Sequence, residues 1–134
     1  MTVQTDMIQA ARACLGTPFH HQGREALMGL DCVGLVAHAL RAAGRPVDDR
    51  TNYSRQPDVK QLMLALSMHG FKRVEEIAPG DVLLFRFNRQ PQHVALAISE
   101  TQIIHAYAPI GRVVEAGLSE SWLRRLAGIY RLMD

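Results

Sequence analysis

Cysteine is scarce in this chain of 134 residues, and the two present, Cys14 and Cys32, have no close neighbour of their own kind. A dense disulfide framework is therefore excluded, and so is the Cys-x-x-Cys pairing typical of structural zinc. Both cysteines read as free thiols, no cofactor is expected, and zinc is disfavoured, since the adjacent His20 and His21 point different ways in most backbones. Long apolar runs are also missing. Nothing approaches the roughly 18 residues needed to span a bilayer, so no membrane span is expected. Charge of one sign is weak, with a net +2. No Lys/Arg run interleaves with aromatics, so nucleic acid is not an expected partner. The nearest approach to a basic cluster, Arg124-Arg125 with Arg131 nearby, reads as a solvated face. Met1–Asp6 has neither the basic region nor the apolar core of a signal peptide, and the expectation is synthesis in the cytoplasm without export by that route. Repeats, low-complexity segments and linkers are absent as well.

What is present has ordinary globular proportions, 48% apolar and 21% charged. Residues 1–134 read as a single domain, long enough to bury about two-thirds of its unfolded surface. Apolar residues recur at helical spacing from about Thr5 to Leu15, with Met7, Ile8, Ala11 and Leu15 as the stripe and Gly16 as the stop. Thr17 to Leu30 reads as a polar loop. A second helix runs from Asp31 or Cys32 to Ala43 and has almost no polar face, which predicts burial at the centre. Asp58 is expected to cap a third helix with Val59, Leu62, Met63 and Leu66 inward, closing at Gly70. Strands are then predicted at Val82–Phe87, His93–Ile98, Ile103–Tyr107, Arg112–Glu115 and Ile129–Leu132, with a short helix over Ser119–Leu126. Helices first and an antiparallel meander after give an α+β fold, with N-terminal helices packed on the sheet.

The candidate chemistry lies in Gly29-Leu30-Asp31-Cys32-Val33-Gly34. Cys32 stands where an irregular segment becomes a buried helix. Unpaired N–H groups and the positive dipole end favour a thiolate there, so Cys32 is expected to be the more reactive thiol. Cys14, on an apolar helix face, is the contrast. His93 opens one apolar strand and His105 lies in the next, joined by a short turn, so the two fall within a residue or two of cross-strand opposition. A thiol, a histidine base and a polar group that orients the base make a nucleophilic triad. His38 and His69 read as structural.

Leu15-Gly16-Thr17-Pro18-Phe19, Asp31-Cys32-Val33-Gly34-Leu35-Val36, Pro79-Gly80-Asp81-Val82-Leu83-Leu84-Phe85, His93-Val94-Ala95-Leu96 and Ile104-His105-Ala106 occur here in that order. In order and spacing they resemble the NlpC family of bacterial cell-wall cysteine peptidases. The resemblance implies a papain-like fold with the cysteine at the start of the central helix. It implies cleavage of peptide bonds in peptidoglycan stem peptides, with Cys32 as nucleophile, His93 as base and acid, and His105 orienting His93. It places Phe19, His20, His21 and Asp31 in the substrate and oxyanion neighbourhood. The Pro18-to-Gly23 stretch looks most like the branch carried in phage tails, which implies tail-tip or baseplate proteins as partners and assembly into a virion tail. Three positions depart from the family pattern: Phe19 stands where tyrosine is usual, Gln22-Gly23 where Gly-Gly is usual, and Val33 where serine follows the cysteine. A catalytically weak structural tail-tip protein and a papain-like amidase or acyltransferase on another substrate are the alternatives.

Overall fold

The computed structural model describes residues 2–49, 59–87 and 90–133. Asp58, the expected cap of the third helix, lies outside them. In chain order the elements are α1 (Val3–Ala13), β1 (Arg24–Glu25), β2 (Gly29–Leu30), α2 (Cys32–Ala42), α3 (Val59–Met68), β3 (Phe71–Val74), β4 (Val82–Phe87), β5 (Gln90–Ala97), β6 (Gln102–Tyr107), β7 (Arg112–Gly117), α4 (Glu120–Arg125) and β8 (Leu126–Leu132). This is the expected α+β arrangement, with N-terminal helices packed on an antiparallel sheet. Helix α1 begins earlier than its apolar stripe, because Thr2 caps it by accepting from the N–H of Thr5. Its buried face is Met7 and Ala11 followed by Cys14, while Leu15 is exposed. In α3, Leu62 and Leu66 are buried but Met63 faces outward. Both errors come from treating the apolar stripe as wider than the strip that touches the core.

The six-stranded sheet has the order β3-β8-β4-β5-β6-β7, all neighbours antiparallel. The meander β4 to β7 is as expected. Strand β8 then returns to lie between β4 and β3, and β3 was not anticipated. The loop expected between Thr17 and Leu30 contains the hairpin β1–β2. Strand β5 starts at Gln90 rather than His93.

Two apolar layers sandwich the sheet. Val82, Leu84, Val94, Leu96, Ile104 and Ala106 pack with residues of α1, α2 and α3. Leu83, Phe85, Ala95, Ala97 and Ile103 pack on the opposite side with Leu118, Trp122 and Leu126. A strand covered on both faces reads as a continuous apolar run, which is what Val82-Leu83-Leu84-Phe85 is. Arg131 is partly exposed, as expected, but it is not merely solvated. It grips buried Asp81 with two hydrogen bonds of 2.9 and 3.0 Å, closing the turn that leads into β4. Among the described residues no helix is long and apolar enough to cross a membrane.

Candidate active site

Asp31 organises the start of α2. Its backbone is extended, and its Oδ1 accepts from the N–H of Gly34 at 2.7 Å. Its Oδ2 accepts from the N–H of Gln22 at 2.9 Å. The glycine at 34 is required by packing, since a Cβ there would run into the Gly23 carbonyl. The carboxylate of Asp31 also takes Arg24 Nη1 at 3.0 Å. Arg24 Nε in turn bonds Asp49 at 2.7 Å, and Arg41 reaches the same Asp49 oxygen at 3.2 Å. Alternating charges thus tie the hairpin, both ends of α2 and the segment before residue 50 together. Removing one partner would leave a buried charge uncompensated.

Cys32 is the first residue of α2 and is nearly enclosed. The sheet makes room for it. The β5–β6 ladder consists of Leu96 opposite Ile104 and Ala97 opposite Ile103, whereas β6 stays paired with β7 out to Tyr107. Where β5 has left β6, the N–H of Val94 is directed at the Cys32 sulfur, together with the N–H groups of Val33 and Cys32 itself. These donors favour thiolate. Burial, and then the Asp31 carboxylate, oppose them, and the thiol is pushed up to about 12. From an ordinary value near 9, that is about 4 kcal/mol against ionisation. A helix end supplies roughly 0.3–1 kcal/mol, at most about 2, so burial wins. The expected thiolate is therefore corrected to a neutral resting thiol. Cys14, at the C-cap of α1, is also raised by burial.

His93 and His105 are brought together. Nε2 of His93 lies 2.7 Å from Nδ1 of His105, and both side chains are buried. Phe87 stacks on His93 with centroids 5.3 Å apart, and Tyr107 stacks on His105 at 5.0 Å. Trp122 meets His105 edge-on at 5.2 Å. Burial, with His105 adding repulsion, holds His93 well below the usual imidazole range, and burial brings His105 down to about 4. Both rings are neutral at neutral pH. Among the described residues no hydrogen bond joins Cys32 to His93. The two elements meet at the Val94 backbone, one residue from the imidazole.

Phe19 is fixed by a parallel bridge to Leu30 and by its N–H donating to the Gly111 carbonyl at 2.8 Å. Its half-buried ring packs on the core cluster that contains Cys32. His20 and His21 line an open cavity of about 400 Å³ with Arg24, Glu25 and Met28 of the hairpin. Among the described residues no group of three His, Cys, Asp or Glu side chains is arranged to hold a metal. Sequence reasoning missed Arg24, Phe87, Tyr107 and Trp122. The one signal available was that Trp122 is the sole tryptophan.

The family model described as the NlpC/P60 family matches residues 16–131. No curated protein matches the chain. Among solved structures, an NlpC/P60 family protein from Bacillus cereus superposes with a TM-score of 0.75 at 21% identity, over 98% of this chain and 40% of that one. The NlpC/p60 domain of the peptidoglycan hydrolase SagA gives 0.69 at 24% identity, over 96% of this chain and 98% of the domain. The peptidoglycan hydrolase RipB from Mycobacterium tuberculosis gives 0.70 at 19% identity, over 98% and 65%. The chain thus spans less than half of the Bacillus cereus protein but nearly all of the SagA domain.

Proposed function

The match across residues 16–131 makes this chain a member of the NlpC/P60 family, and from that premise we propose that it is a cysteine peptidase cleaving peptide bonds in peptidoglycan stem peptides. The observation that carries the reading is the 2.7 Å histidine pair together with a cysteine at the start of a buried helix, whose sulfur meets the N–H of Val94, the residue after His93. The substrate is supported by SagA and RipB, both named peptidoglycan hydrolases.

The hydrogen bond between the histidines selects the working tautomer. When His93 Nε2–H donates to His105 Nδ1, the Nδ1 of His93 keeps its lone pair and is a base. The reverse tautomer puts the proton on Nδ1 and blocks the reaction. With thiol and imidazole both neutral at rest, the Cys32 proton passes to His93 as the sulfur attacks the peptide carbonyl. The N–H groups around the sulfur are the available oxyanion donors, since Phe19 has no hydroxyl. Imidazolium His93 then protonates the leaving amine, the C–N bond breaks and a thioester remains on Cys32. Water, deprotonated by His93, attacks the thioester. The acid leaves and the proton returns to the sulfur.

The site of action follows the sequence likeness of Pro18-Phe19-His20-His21-Gln22-Gly23 to the phage-borne branch: a tail component, assembled with tail-tip or baseplate proteins, that meets the wall from outside. A structural tail-tip protein with little catalysis is the second reading, favoured by Phe19 and by the high thiol value. Incubation with purified peptidoglycan sacculi separates them. Release of soluble peptide fragments by wild type and not by Cys32→Ala is the expected result. No release by either protein favours the structural role or an amide substrate outside the wall.

A further inference from the structure

We propose that Trp122 is a positioning residue for the histidine pair: its indole closes the far side of the sheet over both imidazoles, fixing their mutual angle and keeping water away. The inference rests on the peptidase reading for its kinetic consequence, though not for its geometry. Helix α4 is six residues long, begins at a Ser119 cap and leaves most of its surface exposed. A helix that short contributes little stability of its own, so its placement reflects what it covers. From it the indole reaches both imidazoles and the rings of Phe85, Phe87 and Tyr107 around them. Its centroid lies 5.2 Å from His105, 6.0 Å from His93, 5.3 Å from Tyr107, 5.0 Å from Phe85 and 6.1 Å from Phe87. The contacts with His105, Tyr107 and Phe85 are edge-to-face, the geometry aromatic pairs prefer. Arg125, one turn on, lies over both Trp122 and Phe87 at 5.7 and 5.8 Å and covers the outer edge of the cluster.

Cys32 approaches from the α2 side of the sheet, where substrate must also reach it. The opposite side of the pair needs a wall, because water admitted there would compete for the imidazole hydrogen bond and stabilise imidazolium. The ionisable groups on the surrounding elements are Arg86 on β4, Tyr107 on β6, Arg112 and Glu115 on β7, Glu120, Arg124 and Arg125 on α4, and Asp31 with Cys32 at the start of α2. Arg125 is the cation held against this wall.

The test uses the whole protein and three readouts. Trp122→Leu keeps apolar volume but no ring, and Trp122→Phe keeps a ring. In Trp122→Leu, imidazole signals followed by NMR should titrate at higher pH than in wild type, the acid limb of hydrolysis should move the same way, and kcat should fall about ten- to a hundredfold with KM little changed. Trp122→Phe should recover most of each. Trp122 is the sole tryptophan, so wild-type emission reports this site directly. Imidazolium quenches indole, and emission should hold steady through the ordinary imidazole range and fall only near pH 4, with circular dichroism still native. Emission that drops near pH 6.5, or a folded leucine variant whose imidazole titration matches wild type, would overturn the proposal. Because the NMR and fluorescence readouts need no substrate, an inactive protein would count against the peptidase reading and leave this one standing or falling by itself.

Discussion

Nε2 of His93 and Nδ1 of His105 face each other across 2.7 Å, enclosed by Phe85, Phe87, Tyr107 and Trp122. That enclosure makes the pair neutral and gives its two members unequal work. His93→Ala removes the base and should cost about 10²–10⁴ in kcat with the fold retained. His105→Asn can still accept from Nε2–H through its side-chain carbonyl, so it should keep more activity than His93→Asn. Steady-state kinetics on a defined stem peptide decides the order, and equal losses would make His105 more than an orienting group.

Stability should peak between about pH 6.5 and 8.5. On the acid side the unfolded chain binds protons that buried His93 and His105 refuse, so stability falls from about 6.5 downward, for His105 until its folded value of about 4 is reached. For His105 alone the full loss is of order 3 kcal/mol. On the alkaline side the unfolded thiols ionise near 8.5 while Cys32 holds its proton up to about 12, so stability falls again. Cys14 adds to this decline in the same direction. Thermal midpoints across pH should show a smaller alkaline decline in Cys32→Ala. An alkaline limb unchanged by that substitution would mean Cys32 is not held neutral by burial.

Gln22 has a φ of 62°, in the left-handed region, where glycine is at ease and a side chain is not. Its N–H is held by Asp31, so the conformation is imposed by the cap of α2. Gln22→Gly should keep that hydrogen bond, relieve the strain and stabilise the protein by about 0.5–1 kcal/mol, read as a rise in urea midpoint. Gly34→Ala should do the opposite and more severely, because its methyl would meet the Gly23 carbonyl. A tolerated Gly34→Ala would show that the hairpin does not lie against α2 as described.

Phe19→Tyr adds a hydroxyl to a ring packed on the cluster around Cys32. An oxyanion donor acts in the transition state, so kcat should rise and KM should change little. A change confined to KM would place the new hydroxyl on the substrate elsewhere, with the oxyanion served by backbone N–H groups alone.

Local chemistry made α2 legible in the sequence. The apolar run from Leu35 to Leu40 announces a buried helix, while the Asp31 cap and the close packing at Gly34 emerge only in the structure. The two histidines were legible as neighbours because a short turn joins their strands. Strand β3 was not, because its only strand partner among the described residues, β8, lies more than fifty residues away in sequence. Four residues such as Phe71–Val74 carry no signal without that partner. The hairpin at 24–30 was hidden for a similar reason: its strands are two residues each and are held by glycine contacts and the Asp31–Arg24 ion pair. The protonation of Cys32 was misjudged because a helix terminus is visible in sequence and burial is not.

The account stands on a covalent intermediate at one sulfur. Wild-type protein mixed with a stem peptide, quenched in acid during turnover and digested for mass spectrometry, should carry the acyl half of the substrate on Cys32. Cys14 should stay unmodified, and Cys32→Ala should show no adduct and no product. Product formed while Cys32 stays free of adduct, or formed equally by Cys32→Ala, would contradict the assignment of Cys32 as the nucleophile.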